Sequence, residues 1–164
     1  MKLTIKDCLD HADSLGVPIY GDVKLRGECK REDPELATFN QWVICNYTHL
    51  EPLCFHYPNE WSATSKTGGQ YTHAAKMANM GVKPRLADWI FTGTNKIPPF
   101  FLEMKRENLA KSISSTERKR HFCEQCDLLH RQKQLGAVVC IALGADNAKR
   151  AFIDYMEKYS EPNK

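Results

Sequence analysis

Apolar residues recur every three or four positions through Leu36, Phe39, Val43 and Tyr47, the period of one face of a helix. Asp33 and Pro34 ahead of them suit an N-cap and a first helical position, so the pattern predicts a helix from there to about Asn46. Residues 4 to 15 predict a shorter helix, and Gly16, Pro18, Gly21 and Gly27 break the next stretch into turns or short strands. Leu53 to Tyr57 is a strand-like run between Pro52 and Pro58, and residues 64 to 80 favour a helix closed by Gly81. A buried strand is expected near residues 86 to 91, a turn over Gly93 to Pro99, and a returning strand over residues 100 to 106, making a hairpin. Ser114 and Glu117 then match a capping box, and the helix they open runs to Leu135 and stops at Gly136. Ala137 to Leu143 is a continuous apolar run typical of a sheet interior, and residues 146 to 159 predict a last helix with Ala148, Phe152 and Tyr155 inward. From residue 32 the order is helix, strand, helix, two strands, helix, strand, helix, an α/β arrangement.

With 164 residues, 42% of them hydrophobic and 26% charged, the chain suits a single domain. A chain of this length buries roughly 70% of its extended surface. No repeat or low-complexity tract divides it, and only Ser160 to Lys164 reads as a tail. The longest apolar run, residues 136 to 143, falls well short of the roughly 20 residues that span a bilayer, and Met1 to Asp10 is too charged for a signal peptide. The expectation is a soluble, cytoplasmic protein with no membrane partner. Seven irregularly spaced cysteines point to reduced thiols. Cys123, Cys126 and His130 share a helical face, but no second ligand pair comes after them to complete a zinc site, so a buried apolar stripe is expected there.

Charge changes this picture once it is located. Residues 101 to 135 hold eight Lys/Arg against five Asp/Glu, leaving fifteen of each elsewhere, so the net charge of +3 sits in that window. Within it, strand alternation sends Glu103 and Lys105 to one face and Met104 to the other, with Asp88 on the neighbouring strand. Two carboxylates and an amine can thus converge. Hard divalent cations prefer such oxygen ligands together with water and phosphate oxygens, and surrounding basic charge suits a phosphate backbone. A Glu-x-Lys pair alone is most often a surface ion pair; its weight comes from what surrounds it.

Four segments do so: His56 to Glu60 ahead of a helix, Lys76 to Pro84 ahead of Asp88, Phe101 to Arg106, and Gln125 eleven residues before Gly136. In order and spacing they resemble the PD-(D/E)XK nuclease superfamily, and within it the VRR-NUC group of phage and repair nucleases, over most of residues 32 to 159. The resemblance implies a restriction-endonuclease-like fold, a mixed central sheet flanked by helices. It implies that Asp88 and Glu103 bind Mg2+ or Mn2+ with the backbone carbonyl of Met104, that Lys105 assists the attacking water, and that Gln125 orients it. Burial is expected to tune Lys105 for that task. Glu32, ten residues before Trp42, would complete the outer shell or a second metal position, with Glu35 as its competitor. Two turn positions depart from the family pattern, with Ala87 where a Pro and Arg85 where a Gly is usual.

The implied partner is DNA, branched or structured. His56 and Asn59 are candidates for lining its groove, and Lys76, Arg118, Lys119 and Arg120 for gripping phosphates, set against an ordinary Pro58 turn and solvated charged faces. Trp61 and Tyr71 are candidates for base stacking or for packing. Freestanding members of the group resemble junction-resolving enzymes that cut as symmetric pairs, which points to a homodimer on a four-way (Holliday) junction. The alternatives are a monomeric nickase or flap nuclease, and a non-catalytic DNA-binding or assembly protein.

Overall fold

The computed structural model describes residues 3–57 and 86–160. The helix expected over residues 64 to 80, with Lys76, Asn59, Trp61 and Tyr71, lies outside the described residues.

Helix α1 spans Ile5–Ser14 and opens on a reciprocal cap: Thr4 Oγ1 accepts from the Asp7 N–H at 3.1 Å, and the Thr4 N–H donates to Asp7 Oδ2 at 2.7 Å. A two-residue strand, β1 (Ile19–Tyr20), comes next. Helix α2 spans Glu32–Asn46 and is capped at Arg31, two residues earlier than the sequence suggests. Pro34 is tolerated there because first-turn N–H groups have no intrahelical acceptor to lose. A 3-10 turn over Thr48–Leu53, which the sequence pattern does not predict, delivers the chain to β2 (Cys54–His56).

The expected hairpin forms from β3 (Trp89–Phe91) and β4 (Phe100–Lys105), antiparallel, with Trp89 opposite Leu102 and Phe91 opposite Phe100. Its turn requires Gly93, at φ +78°, because a Cβ there would lie 2.5 Å from the Ile97 carbonyl oxygen. After a short helix α3 (Leu109–Ser112), α4 spans Thr116–Gln134. Its cap is Ser115, whose Oγ accepts from the Arg118 N–H at 3.1 Å. The Ser114–Glu117 box is therefore displaced by one residue, and Ser114 Oγ instead accepts from the Arg118 guanidinium at 3.3 Å. Gly136 ends the helix at φ +93°, as expected. Strand β5 (Val138–Leu143) and helix α5 (Ala145–Tyr159) complete the chain.

The sheet runs β1-β5-β4-β3-β2, with β4, β5 and β1 parallel and β4, β3 and β2 antiparallel. This is the mixed sheet the sequence implied, with helices on both faces. On one face Trp89, Phe100, Leu102 and Met104 pack under α2 and α5, centred on Phe152, whose ring lies 5.5 Å from those of Trp89 and Phe100. On the other, Phe101, Val139 and Ile141 pack under α1 and α4, where Cys8 and Cys126 are buried as small apolar residues. Because β4 alternates between these cores, Glu103 and Lys105 leave its final turn on the α4 side while Met104 anchors the opposite face.

Candidate active site

Beyond the last β3 pairing, β4 runs on without a backbone partner on that edge. The Met104 N–H donates instead to Asp88 Oδ2 at 2.9 Å, just ahead of β3. Lys105 turns its carbonyl the other way, to the Gly144 N–H at 2.9 Å. Backbone groups alternate edges along a strand, so the Met104 carbonyl points to the Asp88 side as well. His56 secures this corner: its Nδ1 donates to the Asp88 carbonyl at 2.6 Å, and the Tyr57 N–H donates to the same oxygen at 3.0 Å.

Glu103 is 1% exposed. Its Oε1 accepts from Lys105 Nζ at 2.6 Å and from Gln125 Nε2, which α4 brings from 22 residues away. Its Oε2 and the Gln125 Oε1 are buried with no hydrogen-bond partner among the described residues. A buried polar atom left unmet costs about 1–3 kcal/mol, which favours a group that fills the cleft and meets it. Glu32 reaches the same cleft from the start of α2, its Oε1 accepting from Ser112 Oγ at 2.6 Å, while that hydroxyl accepts from the Arg106 N–H at 3.0 Å. The cleft, about 700 Å³, has Asp88, Glu103, Lys105 and Gln125 in its lining and Lys111, Arg118 and His121 around them.

Charge explains the protonation states. Burial first, then the Asp88 carboxylate, pushes the Glu103 carboxyl from 4.5 up to about 8, against the pull of Lys105. For Lys105, burial works to release the proton, but the carboxylates of Glu103, Glu32 and Asp88 outweigh it and raise its pKa. The expected tuning therefore runs the other way: Lys105 stays an ammonium. Burial leads the first shift, and the carboxylates gathered around one ammonium decide the second.

That donor set fits a divalent cation. All the oxygens are hard, one is orphaned, and two positive charges would cancel the excess. Among the described residues no group of three or more His, Cys, Asp or Glu side chains gathers as a metal cage by itself. The ligands would be Asp88, Glu103 and the Met104 carbonyl, with water completing the shell, as suits Mg2+. Along the Cys123 stripe, Cys123 Sγ lies 3.8 Å from Cys8 Sγ, and His130 Nδ1 donates to the Leu15 carbonyl at 2.8 Å.

The structure brings together Asp88, Glu103, Lys105, Gln125, Glu32, His56 and Arg118. It separates Glu35, whose Oε2 accepts from the Ala145 N–H at 2.5 Å and so caps α5. Lys119 and Arg120 do not line the cleft, because successive helix residues fan out by about 100° and only Arg118 shares the Gln125 face. His121, four residues before Gln125, was legible from that same spacing; Ser112 and Lys111 carried no sequence signal.

No family model matches the chain, and no curated protein matches it. Among solved structures it is similar to a VRR_NUC domain protein, with a TM-score of 0.55 and 19% identity over 79% of this chain and 91% of that one. The likeness shows a shared fold: the mixed five-stranded sheet with helices on both faces. No helix of the described residues is long and apolar enough to cross a membrane.

Proposed function

We propose that this chain is a nuclease of the VRR-NUC kind, a Mg2+- or Mn2+-dependent endodeoxyribonuclease that hydrolyses phosphodiester bonds. The observation that carries the reading is the buried Glu103 carboxyl, with one oxygen held by Lys105 and Gln125 and the other without a partner among the described residues, in a cleft it shares with Asp88.

Asp88, Glu103 and the Met104 carbonyl would hold the cation, which when bound supplies Lewis-acid polarisation of the phosphate and acidifies a water. The chain's own groups do the rest. Gln125 Oε1, an acceptor with no partner among the described residues, orients the attacking water by taking one of its hydrogens. The Lys105 ammonium stands beside Glu103 and offsets the negative charge that builds on the phosphoryl oxygens, rather than acting as a base. Glu32, held by Ser112, borders the cleft and adds a third carboxylate to the charge that attracts the cation. Arg118 and His56 line the cleft where flanking phosphates would lie.

With one such cleft among the described residues, cutting two strands of a branched or four-way junction takes two copies, and a twofold homodimer matches that substrate's symmetry. The test is a cleavage panel on labelled four-way, flap and linear duplex DNA with Mg2+, Mn2+ or EDTA, beside Asp88→Ala and Lys105→Ala. Metal-dependent cutting lost in both variants is expected, and a dimer mass in solution. Cutting that survives both substitutions removes the site assignment; DNA binding without cutting in any metal favours a non-catalytic binding protein.

A further inference from the structure

We propose that the loop over residues 22–31 is a second nucleic-acid contact, a track of cations that holds the polynucleotide backbone away from the reacting phosphate. The inference rests on the proposed action on DNA and adds a surface outside the cleft lining. Lys24, Arg26, Lys30 and Arg31 are all exposed. The two acids among them are engaged: Asp22 Oδ1 accepts from the Lys24 N–H at 2.8 Å, and Glu28 pairs with Lys111 at 2.9 Å. Lys30 Nζ lies 3.9 Å from Glu35 Oε1, while among the described residues Lys24 and Arg31 form no ion pair.

The loop is built rather than loose. Asn108, 5% exposed, donates from Nδ2 to the Gly27 carbonyl at 2.9 Å, and Gly27 takes φ +110° to present it. Arg26 Nη1 donates to the carbonyls of Leu25 at 2.7 Å and Val23 at 3.0 Å, which fixes its guanidinium over the loop. Two tethers place this surface on the rim of the cleft. Lys111, the partner of Glu28, lines the cleft, and Arg31 directly precedes Glu32, which also lines it. A single phosphate would not be enclosed by side chains spread along an exposed loop. A polymer with a charge on every unit would meet several of them at once, each contact releasing a counterion. The stretch is inconspicuous in the sequence because its four Lys/Arg against two Asp/Glu are cancelled by acids elsewhere outside residues 101–135.

The experiment compares wild type, Lys24→Gln/Arg26→Gln/Arg31→Gln, the charge-preserving Lys24→Arg/Arg26→Lys/Arg31→Lys, and a remote control, Lys6→Gln/Arg131→Gln/Lys158→Gln. Fluorescence anisotropy in EDTA reads affinity for a duplex of about 30 base pairs between about 0.05 and 0.2 M salt. The loop Gln variant should bind roughly 10- to 100-fold more weakly at about 0.1 M salt, with a salt slope smaller by about 2–3, while the charge-preserving variant and the control keep the wild-type slope. Unchanged slope and affinity in the loop Gln variant, or an equal loss in the control, overturns the proposal. A loop-dependent slope without cleavage in Mg2+ or Mn2+ keeps the loop contact and removes the nuclease reading. Cleavage with a loop-independent slope does the reverse, and no binding by wild type removes both.

Discussion

Replacing Glu103 by Gln is expected to stabilise the metal-free protein while abolishing its cleavage. The carboxyl is 1% exposed and is raised from 4.5 to about 8, by burial first and the Asp88 charge second. A group whose folded pKa lies above its unfolded one supports the fold fully below pH 4.5 and loses that contribution as pH rises through about 8. At about 1.4 kcal/mol per pH unit, the interval from 4.5 to about 8 makes ionised Glu103 a liability of roughly 4 kcal/mol at pH 8. That figure already includes the pull of Lys105, 2.6 Å away; Gln keeps an oxygen for that bond but not the charge, so the buried ammonium loses one of its carboxylates and part of the gain is offset. Halving the figure leaves roughly 2 kcal/mol, or about 4–8 °C in Tm for a chain of this size. Thermal melts in EDTA at about pH 5 and about pH 8 check it. Wild type and Glu103→Gln should melt close together at the lower pH, with the variant higher at the upper one. Mg2+ should then raise the wild-type Tm and leave the variant unmoved. A variant that melts lower at the upper pH, or a gap that does not change between the two, refutes the account of Glu103 as a strained, proton-holding carboxylate.

The same contacts have other consequences. Because the proton on Glu103 must leave before a cation takes its place, Mg2+ affinity from thermal-shift titration should rise about tenfold per pH unit up to about pH 8 and flatten above it; a flat profile would mean Glu103 is not a ligand. Ser112→Ala breaks the bridge between Glu32 and the Arg106 N–H, and should cost about 1–2 kcal/mol in urea melts and raise the metal concentration needed for cleavage, with Ser112→Thr restoring both. Glu35→Ala removes the cap of α5, for about 1 kcal/mol of stability, and should leave metal activation where it was. Phe152→Ala empties the aromatic core under α2 and should cost about 3–5 kcal/mol, measured by urea denaturation.

What could be read from the sequence divides by range. Asp88, Glu103 and Lys105 were legible because strand period and a Gly/Pro turn are local signals, and β3 and β4 pair where those signals put them. The α4 boundary was legible to within one residue, since two serines in succession offer equivalent hydroxyls and only backbone geometry selects Ser115. The 3-10 turn over Thr48–Leu53 and the four-residue α3 have no periodicity to read at such lengths. Glu32 and Glu35 show the limit most clearly. They sit three residues apart at the start of α2, both acidic and both near the site in sequence. Their fates are set by partners far along the chain: Ser112, 80 residues on, draws Glu32 to the cleft, and the Ala145 N–H, 110 residues on, takes Glu35 as a cap. The same long reach governs Lys105. Its three neighbouring carboxylates come from α2, the approach to β3, and β4, so counting charges along the chain could not show that they would outweigh burial and keep it an ammonium.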